Sequence, residues 1–284
     1  MLDLQLPSPV AELFDERLAD RGVRVLLKRD DLIHPDIPGN KWRKLKYNLE
    51  PARAAGTLLT FGGAYSNHIR AAAAAGYYGG FATIGVIRGE EQLPLNPSLS
   101  YAVERGMRLT YLDRVTYRAK TSGAVVDGLR REFGEFYLLP EGGSNSAAVR
   151  GCAELPAEIV ERFDVLFTAV GTGGTLAGVA AGLGAGQAAV GVAVLKASLE
   201  ADVVALQEAA FGERVGRWHL EPGYHFGGYA KRTSELDTFI EDFEARHGLR
   251  LDWVYEAKMM YALFDQVRRG AFAAGTTIVA LISG

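Results

Sequence analysis

Val165-Leu166-Phe167-Thr168-Ala169-Val170-Gly171-Thr172-Gly173-Gly174-Thr175-Leu176 is the stretch that decides the fold. A short apolar run feeds directly into a glycine-rich turn, and the small residues after Thr175 read as a helix. A strand that turns straight into a helix is half of a β-α unit, and in an open parallel sheet such turns gather at the carboxyl ends of the strands, where ligands bind. The same arrangement recurs at Phe61-Gly62-Gly63-Ala64-Tyr65-Ser66-Asn67 and at Pro140-Glu141-Gly142-Gly143-Ser144-Asn145. Strands are expected at 23–28, 57–61, 82–87, 108–112, 135–139, 165–170, 188–195 and 277–282. Helices are expected at 41–55, 67–76, 97–106, 115–133, 144–162, 175–183, 199–211, 234–246 and 258–269, which makes the chain an α/β protein.

Composition narrows what these turns serve. The 284 residues carry 31 Lys and Arg against 34 Asp and Glu, a net charge of −3 that provides no field for nucleic acid or an anionic membrane. A single cysteine, Cys152, cannot pair internally, and the five histidines show no metal-ligand spacing, so no metal site is expected. The start of the chain has acidic residues and breaks where a signal peptide would need a basic end and an apolar run, and no apolar stretch approaches about 20 residues. A cytoplasmic protein is expected.

Three motifs carry chemistry. Gly171-Thr172-Gly173-Gly174-Thr175 can turn several backbone N–H groups onto an anion at a helix start, or can be a tight turn with no ligand. Neither the Gly-Lys-Ser/Thr of a nucleotide-triphosphate loop nor the third glycine of a dinucleotide fingerprint is present, since Leu176 stands at that place. Gly39-Asn40-Lys41-Trp42-Arg43-Lys44-Leu45 sets a lysine at a helix start, where negative charge is preferred. The basic residues around it read as a solvated face, or else lower the pKa of Lys41 so that it serves as a Schiff-base amine. Asp30-Asp31 read as turn caps or partners of local lysines. Gly62-Gly63-Ala64-Tyr65-Ser66-Asn67-His68 reads as a helix cap, and it is not the Gly-x-Ser-x-Gly elbow of a serine hydrolase.

Taken in order, Leu27-Lys28-Arg29-Asp30-Asp31, the Gly39 to Leu45 and Gly62 to His68 motifs, Leu139 to Ser144, Gly171 to Thr175, Tyr224-His225-Phe226-Gly227-Gly228-Tyr229-Ala230-Lys231 and Tyr255-Glu256-Ala257-Lys258 resemble pyridoxal-phosphate enzymes of the tryptophan-synthase β fold (fold type II). Among these they are most similar to 1-aminocyclopropane-1-carboxylate deaminase and D-cysteine desulfhydrase, and the likeness covers nearly the whole chain. The resemblance implies two open-sheet α/β lobes, a large cofactor-binding domain of residues 1–49 and 153–284 and a small one of 50–152. It implies pyridoxal 5'-phosphate as cofactor, a small amino acid as substrate, and a homodimer or other homo-oligomer, with no nucleic-acid or membrane partner.

The resemblance also assigns roles by position. Lys41 matches the lysine that carries the cofactor and later moves protons at the substrate carbon. Asn67 matches the donor to the cofactor's ring oxygen, and Gly171, Thr172, Gly173, Gly174 and Thr175 match the phosphate loop. Ser66, with Asn67 and His68 beside it, matches the substrate-facing turn, and Tyr229 and Tyr255 match active-site phenols. Glu256 fits the deaminase pattern at the pyridine nitrogen, whereas Ser283 falls where desulfhydrases carry a hydroxyl, so the two specificity markers point opposite ways. Ala257 and His68 depart from the deaminase letters, which usually have glycine and glutamine there. A deaminase giving 2-oxobutyrate and ammonia is expected, with D-cysteine desulfhydrase as the alternative. A dinucleotide-binding oxidoreductase is the competing class; it leaves Gly39-Asn40-Lys41 unexplained.

Overall fold

The computed structural model describes residues 2–284, which form two sheets with helices on both faces. Strands β1 (Val10–Leu13), β2 (Arg24–Arg29), β7 (Val165–Val170), β8 (Ala188–Ala193), β9 (Trp218–Glu221) and β10 (Thr277–Ile282) make a six-stranded sheet in the order β1-β2-β10-β7-β8-β9. Only β1 is antiparallel to its neighbour. Strands β3 (Thr57–Gly62), β4 (Ala82–Arg88), β5 (Met107–Leu112) and β6 (Tyr137–Leu139) make a parallel sheet in the order β5-β4-β3-β6.

The topology dictates where a ligand can sit. In the four-stranded sheet the chain moves outward from β3 to β4 and β5, then returns to place β6 on the other side of β3. In the six-stranded sheet it moves outward from β7 to β8 and β9, then returns to place β10 on the other side of β7. Turns at such a reversal diverge to opposite faces and leave a crevice at the carboxyl ends of the strands. Those turns are the glycine-rich ones after β3, β6 and β7.

Near-continuous apolar strands such as Leu58 to Phe61 and Ile278 to Ile282 are buried on both faces, as a parallel sheet requires. One face of the six-stranded sheet is closed by the helices Ser234–His247 and Glu256–Arg268 through Leu236, Phe243, Met260 and Leu263. The opposite face is closed by Val149, Leu176, Val179 and Val203. The alanine run Ala71 to Ala75 lets the helix Asn67–Gly79 lie close on the small sheet with Ile69 and Leu58. Among the described residues, no helix is long and apolar enough to cross a membrane.

Three expected helices are broken. The one expected at 41–55 divides into Asn40–Lys46 and Leu49–Ala55. Between them Asn48 is fully buried, donates to the Lys44 carbonyl at 2.6 Å, and accepts from the Tyr137 hydroxyl at 2.5 Å and Asn145 Nδ2 at 2.7 Å. The one expected at 115–133 divides at 119–122, and the one expected at 144–162 stops at Ala153, short of Pro156. Strands β1 and β9, four residues each at the sheet edges, add to the strands that the apolar runs predict.

Candidate active site

Helix Asn40–Lys46 begins at Gly39, whose φ of +55° and ψ of −133° exclude other residues, and a Cβ there would lie 1.7 Å from the Ser283 carbonyl oxygen. The glycine thus lets the lysine-bearing helix start against the end of β10. Lys41 is half-buried and donates to Asn40 Oδ1 at 2.6 Å, while Asn40 Nδ2 donates to Thr175 Oγ1 at 3.2 Å. The two residues therefore tether the amine to the Gly171 to Thr175 turn. Burial, reinforced by the Lys44 ammonium, lowers the Lys41 pKa to about 7.

The basic stretch around Lys41 is not a solvated face. Arg43 is buried and reaches both Asp30 and Glu158, and the buried Lys28 donates to Glu158 and to the Ser8 carbonyl. Asp30 also accepts from the Ser8 hydroxyl at 2.6 Å, and Asp31 pairs with Arg29. The carboxylates at 30 and 31 thus answer arginines rather than lysines. Burial alone would raise Glu158, but hydrogen bonds from Arg43 hold it down at about 2. Lys46 pairs with Glu154.

Lys44 is a candidate site residue that sequence reasoning passed over. Its buried ammonium donates to the Gly142 carbonyl at 3.1 Å, Ser144 Oγ at 3.1 Å and Thr172 Oγ1 at 3.4 Å, and Ser144 Oγ and Thr172 Oγ1 are 2.6 Å apart. A buried cation whose partners are a carbonyl and two hydroxyls keeps its charge free for an anion, and burial lowers its pKa. The turn beside it supplies the other half of an anion cradle. Helix Gly174–Gly182 makes its first bond from the Ala177 amide to the Gly173 carbonyl, so the amides of Gly174, Thr175 and Leu176 have no partner within the helix. A Cβ on Gly174 would meet Ser144 Oγ at 2.6 Å and Lys44 Cε at 3.4 Å, so only glycine leaves this wall open. The spacing of Lys44 three residues after Lys41, on one helical face, was the available signal.

Ser66 caps helix Asn67–Gly79, its Oγ accepting from the Ile69 amide at 3.4 Å, and Asn67 is exposed at the helix start. His68 is buried beneath them. Thr60 Oγ1 lies 2.8 Å from His68 Nε2 and donates its single proton to the Leu139 carbonyl at 2.8 Å, so it must accept from Nε2–H. Burial, with the charges of Lys41 and Lys44, lowers the ring's pKa to about 3, leaving Nδ1 a bare acceptor without a partner among the described residues. It packs against Gly143 of the turn after β6.

On the other side, Tyr255 donates to the Tyr229 hydroxyl at 3.3 Å with the rings edge to face, and burial raises the pKa of Tyr255. A Cβ on Gly171 would lie 3.2 Å from the Tyr255 ring, which sets this pair beside the anion cradle. Glu256 is buried and accepts from the Ser283 and Gly284 amides, each at 2.8 Å, and from the Asp252 amide at 3.2 Å. Burial raises its pKa to about 7 despite these donors. Glu256 and Ser283 are thus adjacent.

A lysine of lowered pKa tied to an anion cradle, with an orphaned imidazole nitrogen and two phenols beside it, fits an enzyme that holds a phosphorylated carbonyl cofactor. The residues present fit pyridoxal phosphate: the free charge of Lys44 and the unpartnered amides match its phosphate, and the Lys41 amine its aldehyde. The chain belongs to the pyridoxal-phosphate dependent enzyme family, which matches residues 3–284. It is 32% identical over 265 residues to a Pyrococcus horikoshii protein provisionally named 1-aminocyclopropane-1-carboxylate deaminase, covering 88% of this chain and 81% of that one. It is 31% identical to the Arabidopsis thaliana mitochondrial bifunctional D-cysteine desulfhydrase/1-aminocyclopropane-1-carboxylate deaminase, covering 93% of this chain and 72% of that one. A crystal structure described as an ACC deaminase homologue superposes with a TM-score of 0.84 at 30% identity, covering 99% of this chain and 90% of that one. The protein is therefore a pyridoxal-phosphate-dependent enzyme with the fold-type II α/β architecture.

Proposed function

We propose that this enzyme is a deaminase or lyase of a small amino acid, of the 1-aminocyclopropane-1-carboxylate deaminase type, which converts that substrate and water to 2-oxobutyrate and ammonia. The observation that carries the reading is the Lys41 amine, lowered to about 7 and tethered through Asn40 to Thr175 of the anion cradle. The names of the relatives support the substrate class.

Bound pyridoxal phosphate supplies an electron sink next to the substrate nitrogen. On this reading Lys41 holds the cofactor, Lys44 with the loop Gly171, Thr172, Gly173, Gly174 and Thr175 holds its phosphate, and Asn67 meets its ring oxygen. Glu256 and Ser283 border its pyridine edge. Ser66, Asn67 and His68 receive the substrate, where the Ser66 hydroxyl, its oxygen already accepting the Ile69 amide, has its proton free for a carboxylate. Aminocyclopropane carboxylate has no α-hydrogen, so opening the ring needs a group that attacks a ring methylene or moves a proton there, and Lys41, Ser66 and the Tyr229–Tyr255 pair are those groups. The lobes of this reading are residues 1–49 with 153–284, and 50–152, in a cytoplasmic homodimer or other homo-oligomer.

A second reading, D-cysteine desulfhydrase, is favoured by one feature: the residue whose amide donates to Glu256 is Ser283, a hydroxyl residue. It would give pyruvate, sulfide and ammonia. Product analysis with each amino acid separates the two: 2-oxobutyrate supports the first, and sulfide from D-cysteine alone supports the second.

A further inference from the structure

Lys258 closes the Tyr255-Glu256-Ala257-Lys258 motif and has no part in the chemistry above. It is fully buried inside helix Glu256–Arg268. Its ammonium donates to three backbone carbonyls, His225 at 2.9 Å, Gly228 at 2.9 Å and Val194 at 3.3 Å, instead of to a carboxylate. A charge is expensive to bury, and three converging carbonyl dipoles are what offsets it here.

Two of those carbonyls belong to the loop that carries Tyr229, and the loop is strained. Phe226, Gly227, Gly228 and Ala230 have φ of 50°, 96°, 127° and 49°, and Phe226 and Ala230 bear side chains that disfavour this region. The loop's own bonds are few: Gly228 amide to His225 carbonyl at 3.0 Å, Lys231 amide to Gly228 carbonyl at 3.1 Å, and Gly227 amide to His225 Nδ1 at 3.0 Å. The third carbonyl, Val194, extends from the end of β8 and fixes the ammonium to the six-stranded sheet. Tyr229 itself is 46% exposed and makes its phenol contact with Tyr255.

We propose that Lys258 is a positioning residue: by clamping the carbonyls of His225 and Gly228 it holds the strained loop His225–Ala230 in the shape that sets the Tyr229 phenol against Tyr255. One helical turn then supplies Tyr255 directly and places Tyr229 through Lys258, three residues on. The consequence for turnover rests on the reading of Tyr229 and Tyr255 as site phenols; the clamp does not.

The test uses the full-length, pyridoxal-phosphate-loaded protein. In Lys258→Met, backbone hydrogen exchange across 225–231 accelerates by at least about tenfold while the sheets stay protected. With the active substrate kcat falls by about tenfold or more and KM changes little, and adding Lys258→Met to Tyr229→Phe costs nothing further, because both act through one phenol. In Lys258→Ala, ammonium chloride restores loop protection by entering the carbonyl-lined space, and tetramethylammonium, too large for it, does not. If Lys258→Met does not fold, Lys258→Gln, one atom shorter but with two N–H donors, carries the same measurements with a smaller change. Unchanged exchange at 225–231 in a folded variant, or losses that multiply in the double variant, overturns the proposal. Turnover untouched by Tyr229→Phe overturns the reading of the phenols instead and leaves the clamp to stand or fall on exchange alone.

Discussion

The Ser283 amide donates to Glu256 Oε1 at 2.8 Å, joining the end of β10 to the first turn of helix Glu256–Arg268. The Ser283 carbonyl meanwhile lies against Gly39, one helix start away from Lys41. Glu256, Ser283 and the lysine motif are therefore parts of one junction.

That junction predicts the effect of Gly39→Ala. Its Cβ would overlap the Ser283 carbonyl, in a backbone region that costs about 1–3 kcal/mol for a side chain even without a clash. We expect a loss of at least about 3 kcal/mol in urea unfolding, with weakened cofactor retention. A variant as stable as wild type would show that the contact between Gly39 and Ser283 is not as close as described.

The low pKa of Lys41 gives a pH signature. Between about 7 and the ordinary lysine value of 10.5, the unfolded chain holds a proton that the folded apoprotein has released, so this residue makes stability rise with pH across that window. The melting temperature of wild-type apoprotein minus that of Lys41→Met should climb from pH 7 to pH 10, and the rate of cofactor capture should follow a midpoint near 7. A flat difference would mean that the amine titrates normally.

Arg43 bridges Asp30 and Glu158 beneath the lysine helix. Arg43→Met leaves Asp30 buried without a cation, and removal of one partner of a buried pair costs about 3–5 kcal/mol. Denaturant midpoints measure this directly, and a loss below about 1 kcal/mol would reduce the cluster to a bystander.

His68 should be a neutral Nε2–H tautomer throughout the range above pH 5. Nitrogen-15 spectra of histidine-labelled protein should show a bare Nδ1 for this ring, moving when substrate or cofactor donates to it. A protonated Nδ1 would invert the Thr60 bond and contradict the assignment.

The parallel sheets and their glycine-rich turns were legible because each depends on neighbours in sequence: an apolar run, a glycine turn, a small-residue helix. Strands 165–170 and 277–282 have the bounds that their residues implied. What escaped depends on partners far along the chain. Arg43 and Lys44 read as solvated because the carboxylate of Glu158 and the hydroxyls of Ser144 and Thr172 lie about a hundred residues away. Asn48 breaks a helix for the same reason, answering Tyr137 and Asn145. Strand β9, Trp218–Glu221, lies at a sheet edge and is too short to show a period.

The most direct test loads the purified protein with pyridoxal phosphate, offers it aminocyclopropane carboxylate, D-cysteine and L-cysteine separately, and measures 2-oxo acid and sulfide for wild type and Lys41→Ala. The account predicts 2-oxobutyrate from aminocyclopropane carboxylate, with Lys41→Ala losing both the visible absorption of the lysine-bound cofactor and about 10²–10⁴-fold or more in turnover. Sulfide and pyruvate from D-cysteine, with no 2-oxobutyrate, would contradict the deaminase assignment and make Ser283 the better guide to specificity. Turnover that survives Lys41→Ala would contradict the site itself.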